Sequence, residues 1–309
     1  MSIPSNAMTG SVLESRVIAP AAIPAMRRMY WSVRRELWES RSIYIAPLAV
    51  AGLFLFAFLL GIFHIPDMMR AAAALHPMKQ HAVIAQPYNL AAALIMATAL
   101  IVGVFYSVDA LYGERRDRSA LFWKSLPVSD LTTVLAKASI PAVVVPLLAF
   151  AITVATQFVM LLLSSAVLAA RGQSVAALWT QLSFFRMSLL LLYHLVTAHV
   201  LWYAPFYGWL LLVSAWARRA PFLWAFLPPL AIGYFEKVAF NTSHFGTLLQ
   251  QRLMGSAEAI TAPGALPTDP MTQVTPGHFL SSPGLWIGLA IAAAFLAAAV
   301  RLRRYRGPI

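Results

Sequence analysis

LYGERRDRSALFWKSLPVSDLTTVLAK, Leu111 to Lys137, is a dense run of charge set between two long apolar segments. Glu114 stands one helical turn before Arg118, the favoured order for an ion pair. Leu121, Phe122, Trp123 and Leu126 add an apolar flank. Pro127 stops that helix, and Ser129 or Asp130 can cap the next one. Between two greasy stretches such an island reads as a water-facing loop, with a short amphipathic helix held at the mouth of a membrane bundle.

The surrounding chain supports a membrane setting. Its 309 residues are 60% hydrophobic and 11% charged, with a mean hydropathy of +0.72. Soluble domains average roughly 25% charged residues, so this apolar excess needs lipid as its solvent. Apolar runs near the ~20 residues that cross a bilayer core occur six times. They are 44–63, 88–108, 140–168, 187–216, 222–240 and 285–300. The third holds Pro141 and Pro146, the fourth Pro205 and Gly208, and the fifth Pro228 and Pro229. Prolines are tolerated in spans where neighbours or water satisfy the freed carbonyls, which fits either plain helix bending or a bundle with an internal cavity. The long outer loops are expected at 64–87 and 241–283.

Basic residues orient the spans. Arg16, Arg27, Arg28, Arg34, Arg35 and Arg41 precede the first. Arg115, Arg116, Arg118, Lys124 and Lys137 lie between the second and third. Arg218 and Arg219 separate the fourth and fifth, and Arg301, Arg303, Arg304 and Arg306 follow the sixth. Seventeen of the 23 Lys and Arg thus fall on one side. The positive-inside rule makes that side cytoplasmic and predicts both termini there. The net charge of +12 is accounted for by this orientation rather than by nucleic acid. The first apolar run lies far from Met1 behind a basic segment, so no cleavable signal peptide is expected. Met26, Tyr30, Val33, Leu37 and Trp38 recur at helical spacing among five arginines, which predicts an amphipathic helix in the headgroup layer ahead of the first span.

Several classes of chemistry find no footing. No glycine-rich loop ending in Gly-Lys-Ser/Thr occurs, so any ATP that drives the protein is hydrolysed on another chain. There is no cysteine, and the seven histidines form no paired zinc signature. His194 and His199, five apart, are expected on different helix faces. No catalytic dyad or metal set emerges. The polar residues inside the spans have two readings. Thr153, Gln157 and Ser164 either glue helices together or line a path through them. His199, Tyr203 and Tyr207 form either aromatic packing or a cavity wall. Glu236 and Lys237, at the outer end of the fifth span, are either a gate or a headgroup boundary. Gly284 and Gly288 make one GxxxG, a dimerisation motif when it recurs.

The order of these features resembles the membrane subunit of ABC-2 type bacterial ABC exporters. The resemblance rests on RRELWESRSIYIAPL, Arg34 to Leu48, and on YGERRDRSALFWKSLPVSDLTTVLAK, Tyr112 to Lys137. It implies an all-α, polytopic fold of six transmembrane helices with both termini cytoplasmic. An N-terminal tail and amphipathic elbow helix would occupy 1–43, and a six-helix domain 44–309, with a coupling loop at 111–137 and an outer loop at 241–283. The coupling helix between the second and third spans, carried by Glu114, Arg115, Arg116, Asp117, Arg118, Phe122 and Trp123, would dock on an ATPase subunit. Thr153, Gln157, His199, Tyr203, Glu236 and Lys237 remain the candidates for a substrate path or gate. ATP and Mg would belong to two partner ATPase subunits, and a second permease subunit would complete a homodimer or heterodimer. The setting implied is the bacterial inner membrane. The cargo is left open, the apolar aromatic spans favouring an amphipathic one. The competing expectation is a non-transport sensor or assembly scaffold whose loop binds another partner.

Overall fold

The computed structural model describes residues 24–119, 128–254 and 280–305, and every regular element in them is helical. Helix α1 (Ala25–Glu39) starts after the extended Pro24 and ends where Ser40 leaves helical geometry. Helix α2 (Ser42–Gly61) is apolar on every side, as a helix in lipid must be. A 3₁₀ turn at Ile62–His64 and helix α3 (Ile65–Ala73) follow. Helix α4 (Pro77–Asp109) begins on a proline, whose missing N–H costs nothing in a first turn. The outer loop expected at 64–87 is therefore mostly helix, and only a short connection separates α3 from α4. Pro66 and Pro77 occupy first-turn positions, where a proline does not interrupt the helix.

Helix α5 (Tyr112–Arg116) is one turn long. Helix α6 (Asp130–Ser139) is capped by the Ser129 hydroxyl, which accepts from the Thr132 N–H at 3.1 Å. It runs through a π turn at Ile140–Val144 into α7 (Val145–Ala170). Pro141 and Pro146 supply no N–H to the ladder there, which favours the wider turn. Helices α8 (Val175–Leu182) and α9 (Phe184–His194) lead to a second π segment, Leu195–Trp202, just before Pro205 and α10 (Ala204–Trp216). Helices α11 (Pro221–Phe240), α12 (His244–Met254) and α13 (Pro283–Tyr305) complete the described chain.

Five stretches are long and apolar enough to cross a membrane: Ser42–Ala73, Lys79–Arg116, Asp130–Ala170, Val175–Trp202 and Pro283–Tyr305. The apolar run expected at 187–216 is divided, with Ala204–Trp216 a shorter apolar helix of its own. The run at 222–240 forms α11, which is not among the five. Leu53, Phe56, Leu60, Leu227 and Ile287 are all more than half exposed. So much apolar surface is at home in lipid and not in water, the make-up of a multi-pass membrane protein.

Helix α4 is the hub, with half of its most apolar window buried. It packs with α2 and α7 around Ile43, Ile95, Ala99, Ile140 and Ala149 toward one end, and around Ile84, Tyr88, Met160 and Leu161 toward the other. Helices α10 and α13 form the second seam. A Cβ on Gly208 of α10 would lie 3.2 Å from the Ala292 carbonyl oxygen and 3.3 Å from its Cα. Glycine is what lets these two backbones approach. Gly103 of α4 faces Pro141, in the first π turn, and Tyr207, just past the second.

Candidate functional site

At one end of the bundle a buried ion network joins four segments far apart in sequence. Helix α1 brings Arg35 and Glu36, one turn apart from Glu39 and surrounded by arginines. Helix α5 brings Glu114, α6 brings Asp130 and Lys137, and α13 brings Arg303. The Lys137 ammonium donates to both oxygens of Glu36 at 3.0 Å and lies 3.2 Å from Glu114. Glu114 also accepts from Arg303, and from Arg35 at 3.3 Å. Arg303 reaches Asp130 at 3.2 Å through its Nε. The Tyr106 hydroxyl, from the end of α4, donates to Glu36 at 2.7 Å. Glu36, Lys137 and Glu114 are 3%, 2% and 8% exposed, so these charges have left water and depend on one another. Burial alone would raise the Glu36 carboxyl. Lys137, the Tyr106 hydroxyl and Arg35 outweigh it and hold that carboxyl below its ordinary value.

The loop after α4 is fixed to α10 as well. Ser214 accepts from the backbone N–H groups of Leu111 and Tyr112, both at 2.9 Å. Arg115 is buried and donates to the carbonyl oxygens of Ala215 and Ala217. Beside the network a cleft of about 740 Å³ opens, lined in part by Glu39, Phe105, Asp109 and Asp117.

The charged loop therefore divides into an inner and an outer half. Glu114 and Arg115 point inward and hold the bundle together. Arg116, Asp117 and Arg118 are exposed, with Arg116 on Asp117 at 2.9 Å. The expected Glu114–Arg118 pair does not form. Helix α5 ends at Arg116, Arg118 takes a left-handed φ of 58°, and Glu114 is engaged by Lys137, Arg303 and Arg35. Phe122, Trp123 and Pro127 lie outside the described residues.

The polar groups inside the spans are closed in. Gln157 donates to the Tyr88 carbonyl oxygen at 3.1 Å, and the Tyr88 hydroxyl meets Ser164 at 3.0 Å. Thr153 and Gln157 are 0% and 1% exposed. This joins α7 to α4 and favours the helix-glue reading over an open path.

The histidine spacing reads differently in three dimensions. A π segment closes i→i+5 turns, so His194 and His199 come together, with ring centroids 6.1 Å apart. The expectation of different faces assumed α geometry. His199 is buried and meets Tyr203 edge-on at 5.6 Å, while the Tyr203 hydroxyl donates to the Leu253 carbonyl at 2.9 Å. Among the described residues no group of three or more His, Asp and Glu is placed to hold a metal ion.

Helix α12 is pinned at both ends. Glu236 accepts from the backbone N–H groups of His244 at 2.6 Å and Phe245 at 2.8 Å, and from the Thr242 hydroxyl at 3.0 Å. A carboxylate on the first N–H groups of a helix satisfies orphan donors and suits the positive end of its dipole. Lys237 is exposed. At the other end Arg252 stacks 4.2 Å from the Trp202 ring, donates to the Trp202 carbonyl at 3.2 Å and to the Gly284 carbonyl at 2.8 Å. Its guanidinium lies where a Cβ on Gly288 would stand. The GxxxG of α13 thus receives an arginine from its own chain.

We expect Glu236→Ala to uncap α12 and loosen its first turn. Amide exchange over residues 244–254 should accelerate while α4 stays protected. Unchanged exchange in α12 would show that the carboxylate does not hold that helix.

Comparison with protein-family models, with curated proteins and with solved structures finds no match to this chain.

Proposed function

We propose that the chain is the membrane-embedded permease subunit of an ABC-2 type exporter in a bacterial inner membrane. The observation that carries this reading is the buried network. It clamps the amphipathic α1, the charged loop after α4, the root of α6–α7 and the tail of α13 into one platform. Arg116, Asp117 and Arg118 stand exposed at its rim. A bundle worked by a soluble motor needs such a stiff receiving end, because force applied to a loose loop would be absorbed by the loop.

The same contacts support six crossings with both ends on the cytoplasmic side. Arg303, near the end of α13, and Arg35, in α1, share Glu114. The end of α10 is held at that face by Arg115 and Ser214. Helix α11, twenty residues long, then carries the chain back toward the start of α13. On this reading α11 is the fifth of the six crossings.

Two ATPase subunits would bind and hydrolyse ATP with Mg. A second permease subunit, the same or a paralogue, would complete the pathway. Closure of the ATPases would move the platform and, through the π turn after α6, tilt α7. The cargo stays open, the apolar aromatic spans favouring an amphipathic one.

The test is affinity purification in mild detergent with identification of the co-purifying chains, repeated with Trp123→Ala and Phe122→Ala. A central aromatic at a docking surface is worth roughly 2 kcal/mol or more, about a thirtyfold loss of association. We expect an ATPase to co-purify with the wild type and to be lost from both variants while the bundle stays folded. Absence of any ATPase, with a different cytoplasmic protein in its place, would replace this reading with that of a scaffold.

A further inference from the structure

Helix α1 uses one side for the ion network and presents a second pattern on the other. Arg27, Trp31, Arg34 and Trp38 follow one another at steps of four, three and four residues. Such steps return to one side of an α-helix. Arg41 stands at the root of the first span, just past Ser40. All five are exposed, Trp31 by 51% and Trp38 by 71%. The Arg34 guanidinium carbon lies 5.1 Å from the centroid of each indole, so the two rings flank it. Arg27, Arg34 and Arg41 pair with no carboxylate among the described residues, whereas Arg35, one position on from Arg34, meets Glu36, Glu39 and Glu114. The carboxylates of α1 are thus gathered about the network, and the outward arginines are left with unbalanced charge.

We infer that this face of α1 is a binding site for anionic phospholipid headgroups. The chemistry fits at three points. Indoles favour the boundary between headgroups and hydrocarbon. A guanidinium matches a phosphate with paired N–H donors. The helix lies next to Ser42, where the first span begins, so its arginines stand at headgroup level. Arg27 and Arg34 are about 10.5 Å apart along the axis, two turns, room for a separate phosphate at each. Glu36 and Arg35 leave the other sides of the same helix for the network, so an occupied lipid site also steadies the platform. The inference rests on no reading of transport and holds for a scaffold as well as for an exporter.

The first measurement is native mass spectrometry of the full chain in detergent with equal phosphatidylglycerol and phosphatidylcholine. The wild type should retain the anionic lipid in preference. Each of Arg27→Gln, Arg34→Gln and Arg41→Gln should lower that preference about fivefold. Lysine at the same positions should keep part of it. Arg301→Gln with Arg304→Gln, which removes exposed charge elsewhere, should leave it unchanged. An equal loss in that control would reduce the effect to net charge and overturn the site. The second measurement keeps the arginines. The fluorescence of the wild type minus that of Trp31→Phe/Trp38→Phe isolates the two indoles. Brominated phosphatidylglycerol should quench this difference several-fold more than brominated phosphatidylcholine. Equal quenching by the two lipids would refute the headgroup preference. No quenching by either would assign the face to a protein partner.

Discussion

Methionine in place of Lys137 is expected to destabilise the bundle by about 3–5 kcal/mol. The ammonium is 2% exposed and touches both oxygens of Glu36 and one of Glu114. Its removal strands carboxylates in a place that water does not reach. The double variant Glu36→Gln/Lys137→Met takes away one charge of each sign and should recover part of the loss. The coupling energy comes from the full cycle, measured by denaturant or thermal unfolding in lipid nanodiscs. The pH profile gives an independent reading. The Glu36 carboxyl lies below its ordinary value of 4.5. A depressed carboxyl contributes stability that is fully present above its unfolded value and is lost as pH falls through the folded one. Lys137 is the strongest of the influences that lower it. In Lys137→Met the acid limb should therefore begin at higher pH than in the wild type. A loss below about 1 kcal/mol with an unmoved acid limb is what an exposed surface pair would give, and would contradict the buried clamp.

The second large effect is expected at Gly208. A leucine there must place its Cβ within 3.3 Å of the Ala292 backbone and 3.4 Å of the Phe295 Cβ. Backbone cannot swing aside as a side-chain tip can, so α10 and α13 must separate along their seam. Overpacking of this kind costs about 1–3 kcal/mol, and more where the backbone cannot yield. Gly208→Ala should be milder, because one methyl needs a shift of only a few tenths of an ångström. The closeness of the two helices can be followed by crosslinking cysteines introduced on α10 and α13 away from the clamp. A leucine variant as stable and as crosslinked as the wild type would mean that the seam is looser than its geometry.

The all-helical, membrane-bound character was legible because it depends on composition and run length, which are local. The charge density of the Leu111–Lys137 loop was legible too. Its wiring was not. The Glu114–Arg118 spacing is a valid local rule, but three cations brought in from 35, 137 and 303 offered Glu114 a drier and stronger set of partners. Lys137 was counted as an orienting charge. Its place among Val134, Ala136 and Ala138 was the available hint that it faces inward. Glu236 was seen as an ionisable group near a boundary, but its task depends on α12 starting eight residues later. The histidine pair was misread because a π segment has no simple sequence signature. Pro205 nearby marks an irregular ladder without saying which kind. Arg252 gave no signal, since only the folded chain brings it to Trp202 and Gly284.

The clamp has a further property that follows from its arithmetic. Arg35, Lys137 and Arg303 face Glu36, Glu114 and Asp130, three cations against three carboxylates, and Arg35 also meets the more exposed Glu39 at 3.6 Å. A transmembrane voltage does work of roughly 2.3 kcal/mol on each elementary charge moved across a full 100 mV. On a neutral group that moves as a body the opposing forces cancel. The six paired charges therefore add little to any voltage dependence of the platform, which is left to Glu39 and to the unpaired charges that move with it. The outward arginines of α1 lack that immunity, and so does any variant that removes one member of the six. A point substitution in the clamp thus changes by one the charge that moves with the joint, readable as a dependence of conformation on applied potential that differs from that of the wild type.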